Sequence, residues 1–307
     1  MSKPEVRPFQ TGFGAEIVNL DLSQPLTAET FKIWEDAFET HGVVVLRGQS
    51  FTDAQHVEFS KWFGRLEDFP DPKDQASGLP TVLRVSNVER DSNRIKPIDD
   101  AGHKSFWLGT SDWHTDSSYR PILSKASLLF SREIPKAGGD TMFAHTGLAF
   151  DALPAAKKAE IENLVVVHDF EETRRRNNLP SRPEAIRKAN PPVRQPLVRR
   201  LAHLSKPDAS FRSNGSENAM AGRRALLLGS HIAYVEGMDY EKSKALIAEL
   251  TEFATRPDFT YRHKWRLGDL VMWDNRCTMH RAMEYDMQNE RRVLHRTTVA
   301  GDAPLLV

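Results

Sequence analysis

Along the first hundred residues the spacing of apolar positions alternates between helical and extended. Phe31, Trp34 and Phe38 recur at three- and four-residue intervals, which predicts a helix over 28–41 behind a capping Thr27. "GVVVLRG" (42–48) is a short β-branched run closed by Gly48, the pattern of a buried strand. "TDAQHVEFSKWFGRL" (52–66) predicts a second helix capped by Thr52 or Asp53, and "TVLRVSNV" (81–88) a further strand.

From about residue 125 strands dominate: "ASLLFSREI", "GGDTMFAHT", "RALLLGSH", "FTYRHKW", "GDLVMWDN" and "RVLHRTTVAG". Helical stretches are predicted near 146–163 and 240–254. Residues 171–224 are polar and rich in Arg, Asn, Pro and Ser. They read as a long insertion, mobile around 203–222, because the last strands need partners from before it. Residues 1–307 are therefore expected to form one domain, mainly β with flanking helices, of the jelly-roll kind. A doubly wound α/β sheet is the rival, and no glycine-rich GxGxxG turn supports it.

Composition narrows the class of partner. Lys+Arg and Asp+Glu both number 42, so the formal net charge is zero and bulk electrostatics point to neither nucleic acid nor an anionic membrane. The first residues show no signal-peptide pattern, and no apolar run approaches a membrane span, so a cytoplasmic location is expected. The single cysteine, Cys277, excludes an intrachain disulfide and a cysteine metal cluster. It reads as an inert buried thiol.

The candidate chemistry starts at "SDWHTDSSYR" (111–120). On an extended chain His114 and Asp116 face one side and could reach one ion. An imidazole and a carboxylate suit iron(II), but two ligands do not hold it; a third would complete a facial triad with three positions open. Alone, the pair is equally a hydrogen-bonded polar turn, and "HVE" at 56–58 has the same form inside a predicted helix.

The C-terminal region supplies the missing context. WHTD (113–116), GGDT (138–141), "GDLVMWDNRCTMHRA" (268–282) and "RRVLHR" (291–296) follow one another in order. This series resembles the iron(II)- and 2-oxoglutarate-dependent dioxygenases of the taurine dioxygenase family, most of all their 2,4-dichlorophenoxyacetate dioxygenase branch. "PPVRQPLVR" and "LLLGSHIAYVEG" resemble that branch too, so the similarity covers nearly the whole chain.

The resemblance implies a double-stranded β-helix with His114, Asp116 and His280 as ligands of Fe(2+), and 2-oxoglutarate and O2 as cosubstrates. Thr141 and Arg292 match the groups that hold the distal carboxylate of 2-oxoglutarate, a task suited to a planar guanidinium fork. Arg296 matches a second arginine that holds an anionic group of cosubstrate or substrate, and the division between the two arginines stays open. Asn87 and His231 match positions near the substrate. Arg291 reads as a solvated neighbour, Trp113 and Trp273 as packing around the site, and His103, His203 and His295 carry no implied role.

The implied substrate is a small anionic compound, an aryloxyalkanoate or related carboxylate cleaved at its ether bond with release of succinate and CO2. A taurine, alkylsulfonate or sulfate-ester dioxygenase is the alternative within this chemistry. A non-catalytic jelly-roll protein that binds a metal or ligand is the alternative outside it. The resemblance also implies a homo-oligomer.

Overall fold

A computed structural model of the protein describes residues 3–69, 71–97, 99–201 and 223–303. Eight strands form the principal sheet in the order Glu5–Pro8, Ala15–Val18, Val43–Leu46, Leu270–Asp274, Ala126–Glu133, Val293–Val299, Leu79–Ser86 and Gln75–Ala76. A three-stranded sheet, Thr260–His263, Thr141–His145 and Thr278–Ala282, packs against it. A second trio joins Ile232–Val235, Val165–His168 and Val193–Pro196, and a two-stranded ladder pairs Val198–Arg200 with Arg224–Leu226. This is the expected double-stranded β-helix with flanking helices.

Period-two alternation explains why the central strands read as unbroken apolar runs: both faces are covered. Val43, Val45, Leu129, Val271, Trp273 and Leu294 point inward, where they meet Phe143 of the smaller sheet. Their neighbours Val44, Leu46, Leu128, Phe130, Leu270 and Met272 point outward onto Trp34, Phe38, Phe59 and Phe63. Those aromatic residues belong to the N-terminal helices Ala28–His41 and Asp53–Lys61 or follow directly on the second. On the far side of the smaller sheet, Ala144 and Met279 pack under Phe150, Leu246 and Leu250.

Local signals account for most boundaries. Thr27 caps the first helix and left-handed Gly42 ends it; Thr52 and Gln55 form a capping box on the second. The helix predicted over 146–163 is two, Thr146–Ala152 and Ala155–Ile161, because Pro154 removes a donor and turns the chain between them. Of "RALLLGSH" only Arg224–Leu226 is a strand.

The helix Ala101–Ser111 carries two glycines and little apolar periodicity, so the sequence reading did not find it. Tertiary contacts hold it: the Arg174 Nη1 donates to Ser105 Oγ (2.6 Å), and Trp107 meets Tyr285 edge-on. The stretch read as an insertion is in part woven into the fold, since Val193–Pro196 pairs with Val165–His168 and Leu197 is fully buried. Residues 171–192 carry two short helices, Glu172–Arg176 and Glu184–Ala189, and 202–222 lie outside the described residues. No helix among the described residues is long and apolar enough to cross a membrane.

Three core histidines, His56, His145 and His168, are at most 1% exposed. Burial pushes their pKa values down to about 3, about 4 and about 3. The unfolded chain takes up these protons near pH ~6.5. Below that pH the unfolded state binds more protons than the folded one, so stability is complete above it and falls as pH drops. The expected loss is about 1.4 kcal/mol per pH unit for each histidine. Among the described residues neither ring nitrogen of His168 has a hydrogen-bond partner. His168→Leu should therefore lessen the loss between pH 7.5 and 5.5, followed by urea unfolding, by about one histidine's share. An unaltered pH dependence would contradict this.

Candidate metal and 2-oxoglutarate site

The same alternation sends a set of polar side chains into the space between the sheets. Thr141 shares its strand face with Phe143, His280 with Thr278, Ser127 with Leu129, and Arg296 with Leu294. Polar residues on a buried face need partners there, and they find one another.

His280 sits on the strand Thr278–Ala282, but His114 and Asp116 do not lie on a regular strand as the spacing suggested. Only His114 is extended, in an isolated antiparallel bridge to His280. The His114 N–H donates to the His280 carbonyl at 3.0 Å, and the His280 N–H returns the bond at 2.9 Å. The chain then turns at Ser117, whose φ of 55° is left-handed. Glu67 braces this turn by accepting from Ser117 Oγ (3.0 Å), Arg120 Nη1 (2.8 Å) and Ser124 Oγ (2.6 Å). Gly229 permits the close approach behind the ligands, since a Cβ there would lie 3.0 Å from the His114 Cα.

The result is a buried cluster in which one donor atom from each of His114, Asp116 and His280 lies within 4.8 Å of the others. The imidazole centroids are 4.1 Å apart. The His280 Nε2 stands 3.8 Å from Asp116 Oδ2, too far for a hydrogen bond. The Asp112 carbonyl, 2.8 Å from His114 Nδ1, can only accept, so Nδ1 carries the hydrogen and Nε2 keeps its lone pair. His280 Nδ1 is buried with no partner among the described residues.

Burial lowers the pKa of both histidines and keeps them neutral. Burial alone would push Asp116 up, but the Arg296 guanidinium and the Ser127 hydroxyl more than reverse this and hold it ionised. Two neutral imidazoles and one carboxylate are the donor set that fits a divalent transition metal.

Arg292 and Arg296 part company. Arg296 Nη1 donates to Asp116 Oδ1 at 2.6 Å, and its guanidinium lies 6.0 Å from the centre of the Phe69 ring. Arg292 is 6% exposed and has no carboxylate partner among the described residues; its Nε donates to the Gly139 carbonyl at 2.9 Å. Burial lowers its pKa to about 10, so it remains a cation awaiting an anion. Gly139 of "GGDT" makes room for it: a Cβ there would fall 3.2 Å from the Arg292 Cδ. The Thr141 Oγ1 accepts from Trp265 Nε1 at 3.0 Å, which leaves its own hydrogen to donate elsewhere.

The other implied residues divide as well. Asn87 engages the 287–292 backbone: Oδ1 accepts from the Arg292 N–H (2.8 Å), and Nδ2 donates to the carbonyls of Met287 (3.0 Å) and Glu290 (2.8 Å). His231 packs on Tyr119 at 4.8 Å, and Tyr119 in turn on Phe170 at 4.3 Å. His231 neighbours the ligand turn, because the Ser230 N–H donates to the Trp113 carbonyl at 2.9 Å. Arg291 pairs with Glu133, Trp273 is buried in the core, and Cys277 is a buried thiol pushed well up by burial.

Sequence reading missed Trp265, Ser127, Asn275 and Phe69. Ser127 had one signal, a hydroxyl at an inward position of the apolar run "ASLLF"; Phe69 had none.

A family model described as "Taurine catabolism dioxygenase TauD, TfdA family" matches residues 5–298. The alpha-ketoglutarate-dependent 2,4-dichlorophenoxyacetate dioxygenase of Cupriavidus pinatubonensis is 34% identical over 96% of this chain and 97% of its own length. An alpha-ketoglutarate-dependent sulfate ester dioxygenase of Pseudomonas putida is 29% identical over 98% and 91%. The crystal structure of AAD-2 in complex with Mn(II) and N-oxalylglycine superposes with a TM-score of 0.84 at 36% identity, covering 98% of this chain and all of that one. The chain belongs to the TauD, TfdA family, and its chemistry is that of a 2-oxoglutarate-dependent dioxygenase.

Proposed function

We propose that the protein oxidises aryloxyalkanoate-type carboxylates at the carbon beside the ether oxygen, with 2-oxoglutarate as cosubstrate. The observation that carries this reading is the His114–Asp116–His280 cluster together with a buried, unpaired Arg292 guanidinium. The first is a metal-ligand set and the second an anion anchor, and a protein that only stored metal would have no use for the anchor. Similarity to 2,4-dichlorophenoxyacetate dioxygenases directs the substrate class.

In this reading His114, Asp116 and His280 hold the ferrous ion. A ferrous ion bound there supplies the activation of dioxygen that couples decarboxylation of 2-oxoglutarate to oxidation of a C–H bond. Arg292 takes the distal carboxylate of 2-oxoglutarate, and the Thr141 hydroxyl, loaded from behind by Trp265, donates to the same group. Asn87 serves this anchor by fixing the backbone of Arg292. Arg296 offers its remaining donors to the substrate carboxylate, and the Phe69 ring beside it suits an aryl group. A substrate hydroxylated next to its ether oxygen is a hemiacetal, which collapses to a phenol and a 2-oxo acid without a hydrolytic residue. Similarity to the sulfate ester dioxygenase keeps sulfur oxyanions as the competing substrate class, since a guanidinium also recognises those.

Three measurements follow. Succinate release with ferrous ion and 2-oxoglutarate should rise more with 2,4-dichlorophenoxyacetate than with taurine or an alkyl sulfate; the reverse order would move the assignment to sulfur oxyanions. Arg292→Gln should raise KM for 2-oxoglutarate about 10- to 100-fold, because a hydrogen bond to a charged group contributes about 1.5–3 kcal/mol. KM for the aromatic substrate should stay within about threefold. Asn87→Ala should raise KM for 2-oxoglutarate about 10-fold, as loss of a few backbone-fixing hydrogen bonds predicts. A rise confined to the aromatic substrate would instead make Asn87 a substrate contact.

A further inference from the structure

Asp116 is the one ligand carried on a turn, yet its carboxylate is the most tightly held group in the cluster. Arg296 grips Oδ1 from the strand Val293–Val299, with its side chain 16% exposed. Oδ2 is held by a chain of neutral groups with no contact with solvent. The Trp273 Nε1 donates to Asn275 Oδ1 (3.1 Å), Asn275 Nδ2 donates to Ser127 Oγ (3.1 Å), and Ser127 Oγ donates to Asp116 Oδ2 (2.7 Å). Trp273, Asn275 and Ser127 are each at most 1% exposed.

The direction of this chain is forced at every link. An indole N–H can only donate, so the Asn275 oxygen must face it and the Asn275 amide hydrogens must face Ser127. Ser127 then accepts from Asn275 and has its single hydrogen left for Asp116. The carboxylate therefore meets a donor that cannot turn away.

We infer that Trp273, Asn275 and Ser127 form a positioning relay that fixes the metal-ligand carboxylate of Asp116 to the principal sheet independently of Arg296. None of the three is a proposed metal ligand: Ser127 and Asn275 act through Asp116, and Trp273 acts through Asp116 and also packs on the His280 ring at 4.5 Å. The division of labour has a physical reason. Arg296 is the cation offered to the substrate anion, and a guanidinium shared with a second anion holds the first less firmly. A neutral, dry relay keeps Asp116 in place whatever Arg296 does, and with both oxygens already accepting hydrogen bonds the carboxylate is disposed to offer the metal one oxygen.

The inference rests on His114, Asp116 and His280 being a metal site, so the test begins with cobalt(II) binding to the metal-free full chain, followed by its visible ligand-field absorption. Binding that His114→Ala fails to weaken would overturn the site itself. With the site established, Ser127→Ala should weaken cobalt binding about 10- to 100-fold, the usual loss when a group behind a metal ligand is removed. Its absorption should also shift in position and intensity, as a released carboxylate can bring its second oxygen onto the ion in place of a water. Ser127→Thr, which keeps the hydroxyl, should restore both within about threefold.

Asn275→Ala should weaken binding by itself, and adding it to Ser127→Ala should change nothing further, because it acts only through that hydroxyl. Wild-type affinity and spectrum in Ser127→Ala, or losses that add in the double variant, overturn the relay. If Ser127→Ala does not fold by circular dichroism, Asn275→Ala and Asn275→Leu interrupt the same chain one link farther up. Unchanged cobalt affinity in both would overturn it equally.

Discussion

Two reciprocal backbone hydrogen bonds between His114 and His280 carry the architecture of the site. They tie a loop to the edge of the smaller sheet and bring together residues from opposite halves of the chain. The space that the ligands enter exists because two sheets pack face to face with Phe143, Trp273 and Leu294 between them. Leave out the bridge and Asp116 would have no fixed approach to His280. Leave out the packing and there would be no dry space for the cluster to occupy.

Around the cluster, buried charge is paired at Asp116 and Glu67 and left unpaired at Arg292. Asp116 is ionised because Arg296 faces it, and Glu67 is enclosed by Arg120 and two serines. Arg292, between the sheets, is a buried cation with no carboxylate partner among the described residues, a costly arrangement that fits the proposed role of anchoring the cosubstrate's anion. Both sheets converge on it. Gly139, beside the strand Thr141–His145, clears the room and supplies a carbonyl, while Asn87, at the end of Leu79–Ser86, orders its backbone. Such support from rigid elements is what a site needs if its geometry is to be set before ligands bind.

Pattern reading recovered much of this. The helices Ala28–His41 and Tyr240–Ala254, the strand Val43–Leu46 and the inward alternation of "RRVLHR" all follow from local periodicity and capping, which act over a few residues. It failed where distant contacts decide. The helix Ala101–Ser111 has poor propensity and depends on Arg174 and Tyr285. "DSSYR" after the ligand pair is a braced turn, because Glu67 outweighs the extended tendency that the HxD spacing suggested.

The sequence by itself pointed to the class of chemistry through a family resemblance: His114, Asp116, Thr141, His280 and Arg292 in that order along the chain, with small residues where the backbone must approach. Tertiary structure alone decided which arginine is paired and which is free, that Asn87 holds the backbone of Arg292, and that Ser127 reaches Asp116. The physical reason is the range of the forces involved. Propensity and alternation set where a side chain faces, whereas partner choice in a buried polar network depends on which strands become neighbours, and that is settled only when the sheets close.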